Sequence, residues 1–141
     1  MRVLLAYDGS IAGRDALFGA PEIASLRVTD RHLLAVLPIP DGVFLSEGYV
    51  PDVVFEDDKL AAQRRLDEGV QLLRASGSPV RGHIAWGEPV EEICRLALEL
   101  PVDLILVAHP KATAFAARWW RGWVGSSLLE QTPCSVLVSI Y

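Results

Sequence analysis

The apolar run from Asp103 to Ala108 constrains the fold more than any other stretch of the chain. Six residues with a single acid at the start are typical of a strand that is buried on both faces. After it the sequence predicts a loop, a short helix and a second strand, over His109 to Arg121, Gly122 to Gln131 and Ser135 to Ile140. Together these elements form one βαβ unit, in which the loop that leaves the first strand is the usual place for a ligand.

Strand and helix signals alternate along the rest of the chain. The predicted elements are strands at Arg2 to Tyr7, His32 to Leu37 and Val80 to Trp86, and helices from the turn Asp8-Gly9-Ser10 to Leu26, at Phe55 to Ala75 and from Pro89 to Leu100. Pro21 is expected to kink or break the first helix, and Pro38 to Val54 is expected to form a long loop. The alternation predicts a single domain, residues 1–141, in which helices cover both faces of a parallel sheet. The most apolar strands are expected at its centre: the first and the fourth, with the second as a further candidate.

Composition and charge exclude several classes of function. The net charge is −5 and no basic block occurs, which argues against nucleic acid as a partner. No apolar stretch approaches the length of a membrane span. The two cysteines, Cys94 and Cys134, form no paired motif, so a reducing, cytoplasmic location is expected.

The sequence shows no catalytic constellation: there is no nucleophile elbow, no metal cluster and no G-x-x-x-x-G-K motif. His32 and His83 lie on predicted strands, and their neighbours in sequence do not indicate a metal site. His109 is interpreted as a polar residue of the rim or, alternatively, as a ligand contact. A phosphoacceptor receiver domain of similar architecture would need an aspartate where Trp86 and Gly87 end the third strand.

Four stretches of the chain, Val3 to Ser10, Gly87 to Ile93, Val102 to Val107 and Pro133 to Val138, follow a known order of motifs. The first resembles the opening strand and turn of the universal stress protein (UspA) family, and the second resembles that family's exit from the third strand. Val102 to Val107 is similar to its fourth strand, and Pro133 to Val138 is similar to its closing Cys-Pro-Val-Leu-Val-Val. The likeness covers nearly the whole chain except Pro38 to Val54, and it rests on the order and spacing of the motifs together.

The resemblance implies an α/β fold: a doubly wound, flavodoxin-like or Rossmann-like parallel sheet of five strands in the order 3-2-1-4-5, similar to the adenine-nucleotide alpha hydrolases. In that order the turn after the first strand and the loop after the fourth share one rim, where some members of the family bind ATP. Asp8 matches the family acid near the adenine; alternatively, it is a helix cap and turn former. The candidate crevice residues are Asp8, Gly9, Ser10, Val36, Ala108, His109, Lys111, Gly122, Gly125 and Ser126.

The loop of this chain departs from that of the ATP-binding members. Their loop reads Gly, two residues, Gly, nine residues, Gly, then Ser or Thr, and its bare backbone amides approach the phosphates. Here Ala108 and Lys111 stand at the first two glycine positions, and Gly122, at the third, is followed by Trp123. We therefore expect no cofactor and little or no ATP binding. The alternative is an ATP- or AMP-binding switch, or a slow ATPase, in which Gly125 to Ser127 forms a substitute amide cradle.

Three tryptophans and the last strand indicate partners. Trp123 is expected to fill the crevice, and Trp119 or Trp120 is expected to contact a protein partner; a membrane surface is the third interpretation, which the acidic composition disfavours. Ser135 to Ile140 is expected at an edge of the sheet, and the family implies a homodimer through it. Together these features predict stress-linked regulation by binding and not by chemistry.

Overall fold

A computed structural model of the chain describes residues 1–21, 25–37, 52–111 and 127–141. Within these ranges strands alternate with helices, as the sequence predicts. The strands are β1 (Arg2–Tyr7), β2 (Asp30–Leu37), β3 (Val80–Trp86), β4 (Leu104–His109) and β5 (Ser135–Ile140), and the helices are α1 (Ile11–Phe18), α2 (Asp52–Arg74), α3 (Pro89–Glu99) and α4 (Ser127–Gln131).

The five strands run parallel in one sheet of order β3-β2-β1-β4-β5, which confirms the expected topology. The register pairs Leu5 of β1 with Leu33 of β2 on one side and with Leu106 of β4 on the other. All three side chains are fully buried, so the most apolar strands are indeed central. Because the order reverses between β1 and β4, the carboxyl ends of these strands open at the switch point where doubly wound sheets bind ligands.

Helices cover both faces of the sheet, because successive side chains of a strand point to opposite sides. Ile93 of α3 and Leu128 of α4 pack on one face, and Leu17 of α1 and Leu66 of α2 pack on the other. Strand β3 lies at one edge of the sheet and is covered on both faces. Val80 packs on the α2 side and Ala85 on the α3 side, since both layers of helices extend to this edge strand.

Two strand boundaries differ from the prediction. β4 begins at Leu104 instead of Asp103, and it includes His109, which the sequence places in the loop. Asp103 instead connects the start of β4 to the start of β1. Its carboxylate accepts hydrogen bonds from the backbone N–H of Arg2 at 2.7 Å and from the Arg2 guanidinium at 3.3 Å. β2 begins two residues earlier than expected, at Asp30, because that residue still pairs with Arg2.

The boundaries of the helices also differ. α1 ends at Phe18, whereas its apolar stripe predicts a helix that continues to Leu26. The Gly19 N–H closes the last turn on a carbonyl of α1 at 2.9 Å, so the break precedes Pro21. α2 begins at Asp52, inside the predicted long loop, and the other residues of that loop, 38–51, lie outside the described ranges.

Candidate functional site

The turn after β1 lies at the carboxyl end of the central strand, beside the ends of β2 and β4. Asp8 is buried there, with 7% of its surface exposed, and one carboxylate oxygen accepts hydrogen bonds from the Ser10 backbone N–H at 2.9 Å and the Ser10 hydroxyl at 2.6 Å. The Ser10 hydroxyl in turn accepts a bond from the N–H of Gly13 at 3.0 Å. Ser10 is therefore the cap of α1, and Asp8 forms the turn that presents it.

Two glycines let this turn close tightly. Gly9 has a φ of +84°, which side-chain-bearing residues rarely adopt, and a Cβ there would stand 2.6 Å from Cδ2 of Leu37. A Cβ on Gly13 would stand 2.8 Å from Oδ1 of Asp8. A methyl group at either position would thus overlap a neighbouring side chain unless that side chain moved.

Tyr141 completes the turn, and the sequence did not indicate it. Its phenol lies near the side chain of Ser10: a Cβ on Gly13 would stand 3.1 Å from Ser10 Oγ and 3.3 Å from the Tyr141 hydroxyl. Burial, and then the charge of Asp8, raises the pKa of the Tyr141 phenol. Period-two alternation beyond β5, which sets Tyr141 on the face of Leu137, is the signal that could have found it.

Backbone pairing continues past the end of β5 and ties down the start of the loop after β4. The Tyr141 N–H donates to the carbonyl of His109 at 3.0 Å, and the Lys111 N–H donates to the carbonyl of Tyr141 at 2.6 Å. His109 is therefore part of the sheet, and burial lowers the pKa of its imidazole. The Lys111 side chain is exposed.

The other candidate residues fall into two groups. Val36 and Ala108 are buried inside β2 and β4, with 0% and 2% of their surface exposed, and their side chains belong to the two cores. The glycine-loop candidates and the tryptophans lie outside the described residues: Gly122, Gly125, Ser126, Trp119, Trp120 and Trp123. The described part of the rim is thus formed by the β1 turn, the end of β4 and Tyr141.

Beneath the turn, the hydroxyl of Tyr7 is buried and has no hydrogen-bond partner in the described part of the chain. Burial is the main reason why the pKa of Tyr7 is raised to about 12, and the charges of Arg14 and Arg65 oppose that rise. Arg14 is itself buried and forms ion pairs with Asp15 at 3.4 Å and Glu68 at 3.5 Å. This side of the rim therefore carries paired charges around a neutral phenol.

Two further kinds of site were sought among the described residues. They contain no group of three or more His, Cys, Asp or Glu side chains that could hold a metal ion. None of the described helices combines the length and the apolar character that crossing a bilayer requires.

Comparison with known families gives a match over almost the whole chain. Residues 1–139 fit the family described as the universal stress protein family. The chain belongs to the universal stress protein family. The resemblance drawn from the sequence motifs is thereby confirmed.

Solved structures of other universal stress proteins share the fold. One from Burkholderia pseudomallei superposes with a TM-score of 0.68 at 24% identity, over 97% of this chain and 93% of the other. A universal stress protein in complex with cAMP gives a TM-score of 0.66 at 21% identity, over 98% and 95%. The universal stress protein from Archaeoglobus fulgidus in complex with dAMP gives 0.61 at 18% identity, over 98% and 96%. At such identities the likeness shows a shared architecture.

Proposed function

We propose that this universal stress protein is a non-catalytic binding module of stress regulation that pairs with a second copy of itself through β5. The observation that carries the proposal is the unpaired, partly apolar outer edge of β5. Within the described chain β5 pairs with β4 along one edge and with no strand along the other. Val136, Leu137 and Val138 are only half-buried, and Ile140 is 59% exposed. Free backbone groups beside apolar side chains favour pairing with another strand.

The strand also lacks the features that usually keep sheet edges apart. Its sequence Ser-Val-Leu-Val-Ser-Ile contains no proline and no charged residue. A groove of about 430 Å³ runs beside it, between α1 and β5, and is lined by Ala16, Ala20 and Ser139 among others. A copy related by a twofold axis would extend the sheet and place its own side chains over this groove.

The oligomeric state of two charge variants tests the pairing. Val138→Lys combined with Ile140→Lys should convert a dimer into a monomer, because two lysines from each copy would meet across the new strand pair. Leu98→Lys is the matched control, since Leu98 is also a large exposed apolar residue, at 65%, but lies on α3. Analytical ultracentrifugation at micromolar concentrations measures both. A monomeric wild-type chain, or a dimer that survives the double lysine variant, contradicts the proposal.

A second candidate function is the binding of an adenine nucleotide at the rim. The observation that favours it is the buried Asp8 carboxylate at the switch point, and relatives of the same fold occur in complex with cAMP and with dAMP. The residues at the glycine positions oppose a triphosphate, because Ala108, Lys111 and Trp123 stand where the ATP-binding pattern has Gly, Gly and Ser or Thr. A monophosphate needs fewer bare amides and is the better fit.

Nucleotide retained through gentle purification separates the two candidates. The binding-module proposal expects mass spectrometry of the denatured protein to release no ATP, and calorimetric titration with ATP to give no saturable heat. AMP released in proportion to protein, and lost in Asp8→Ala, would support the second candidate. ATP released in proportion to protein would contradict the expectation of little or no ATP binding.

A further inference from the structure

The fold brings into contact two histidines that are far apart in the sequence. His32 lies on β2 and His83 on β3, and the register pairs His83 with Leu34, so the two imidazoles meet along a diagonal. His32 Nδ1 and His83 Nε2 are 3.0 Å apart, which is the distance of a hydrogen bond in which the two nitrogens share one N–H. A bond between side chains therefore joins the edge strand to the interior of the sheet.

Asp30 sets the direction of this hydrogen bond. Its Oδ2 lies 3.4 Å from His32 Nε2, the other nitrogen of that ring. A carboxylate beside Nε2 favours the tautomer that carries its proton there. His32 Nδ1 is then the acceptor and the His83 Nε2–H is the donor, and the next proton is taken up by Nδ1 of His83.

The pair accommodates one additional proton but not two. A proton on His83 Nδ1 leaves the bond between the rings in place. A second proton would go to His32 Nδ1, and two N–H groups would then face each other across 3.0 Å. Only 2% of His32 is exposed, so a charge on this ring would be removed from water. Burial is accordingly the main reason why the pKa of each imidazole is lowered.

The charges around the pair act in both directions. After burial, the charge of Asp30 raises the pKa of His32, and the charge of Arg81 on β3 lowers the pKa of both rings. Arg2, on the same face of β1, is bonded to Asp103. Helix α3 covers this face with its buried apolar residues, and its charged residues are exposed or half-buried: Glu91, Glu92, Arg95 and Glu99.

We propose that the histidine pair is a pH-dependent switch that holds β3 to β2 at neutral pH and lets β3 separate from the sheet in mild acid. β3 is the strand that can respond in this way, because in the described part of the chain it pairs with β2 alone. When β3 separates, both rings reach water and regain their ordinary pKa of 6.5. The opened form therefore takes up protons at a higher pH than the closed form, and the closed form loses stability as the pH falls below 6.5.

Hydrogen–deuterium exchange of the full chain at pH 7 and pH 5, measured by mass spectrometry and corrected for the intrinsic exchange rate, tests the switch. Each histidine that gains a proton on opening raises the opening equilibrium constant by up to about tenfold per pH unit. We expect the opening of β3 to increase at least about tenfold between the two pH values. The central strands β1 and β4 should show no comparable increase.

His83→Gln is the most informative variant, because glutamine keeps an N–H donor for His32 Nδ1 and cannot titrate. It should reduce the acid-dependent increase in β3 at least about threefold. Arg81→Gln should also reduce it, since the closed form would then accept a proton more readily. His109→Gln is the matched control: it removes the third histidine of the chain, at the end of β4, and should leave the increase in β3 unchanged.

Two results would overturn the switch. The first is a wild-type chain in which acid increases exchange in β3 no more than in β1, and this comparison needs no variant. The second is an increase in β3 that is as large in His83→Gln as in the wild type, or that is lost in His109→Gln. The pair lies on β2 and β3, away from β5 and from the turn after β1, so neither result bears on the proposed function.

Discussion

Replacement of Gly13 by alanine should destabilise the chain, although the same change inside a helix is ordinarily stabilising. Alanine in a helix interior is favoured over glycine by about 0.5–1 kcal/mol. Here the new Cβ would stand 2.8 Å from Asp8 Oδ1, 3.1 Å from Ser10 Oγ and 3.3 Å from the Tyr141 hydroxyl. Asp8 cannot move aside freely, because its bonds to Ser10, at 2.6 and 2.9 Å, hold it.

The expected size follows from these contacts. Forcing a methyl group into a packed site costs about 1–3 kcal/mol, and weakening a hydrogen bond to a charged group costs about 1.5–3 kcal/mol. After the helix preference is subtracted, Gly13→Ala should lower the free energy of unfolding by roughly 1.5–5.5 kcal/mol. Urea denaturation followed by circular dichroism measures it. Ala12→Gly, at an exposed position one residue earlier, is the control that reports the glycine–alanine difference in the same turn.

A double-mutant cycle identifies the cause. In an Asp8→Ala background the obstructing oxygen is gone, so adding Gly13→Ala should become neutral or slightly stabilising. The coupling free energy between the two positions should reach at least about 1 kcal/mol, within the range of residues in direct contact. A Gly13→Ala chain as stable as the wild type, or a cycle in which the two effects simply add, would refute the proposed packing of this turn.

Three other perturbations have expected outcomes. Gly9→Ala should lower the free energy of unfolding by roughly 2–4 kcal/mol, because alanine disfavours the left-handed φ and its Cβ would stand 2.6 Å from Leu37. Gly77→Ala is the control: Gly77 has a φ of +89° but open space around it, so only the backbone cost of about 1–2 kcal/mol is expected. Thermal unfolding of both variants measures the difference. Tyr7, whose pKa is raised to about 12, keeps its proton in the folded state above pH 10, so stability should fall as pH rises from about 10 towards 12. Tyr7→Phe should make that fall shallower, and the part due to Tyr141, whose pKa is also raised, should remain. Absorbance at 295 nm with urea unfolding at pH 9 and pH 11 measures it; equal pH dependence in both chains contradicts the assignment. Hydrogen bonds from Arg2 lower the pKa of Asp103, so its contribution is present at neutral pH and is lost as the pH falls below 3.8 and through the folded-state pKa. In Asp103→Asn the free energy of unfolding should fall less steeply as the pH is lowered below 3.8. An unchanged slope would count against the hydrogen bonds between Asp103 and Arg2.

Much of the fold follows from patterns within short stretches. The buried run of β4, the capped turn at Ser10 and the uncharged last strand are each visible in a few consecutive residues, because burial on two faces, capping and edge exposure are local requirements. The family resemblance added the order of the strands, which a local pattern does not fix. The structure confirms that order.

Contacts between distant strands could not be found in this way. Tyr141 meets Ser10, and His32 meets His83, only because strand register places them side by side. Asp103 was interpreted as the opening of a strand, but its carboxylate is occupied by Arg2, which is 101 positions away in the chain. A one-dimensional pattern tells which face a residue takes and does not tell which residue of the next strand it meets.

The ladder between β4 and β5 has a consequence for how this protein can vary. A shift of one residue in that pairing would turn the phenol of Tyr141 to the opposite side of the sheet, away from the serine that caps α1. An insertion or deletion in the last strand should therefore disturb the packing of the turn after β1. Sequence changes in β5 and in that turn are expected to depend on one another.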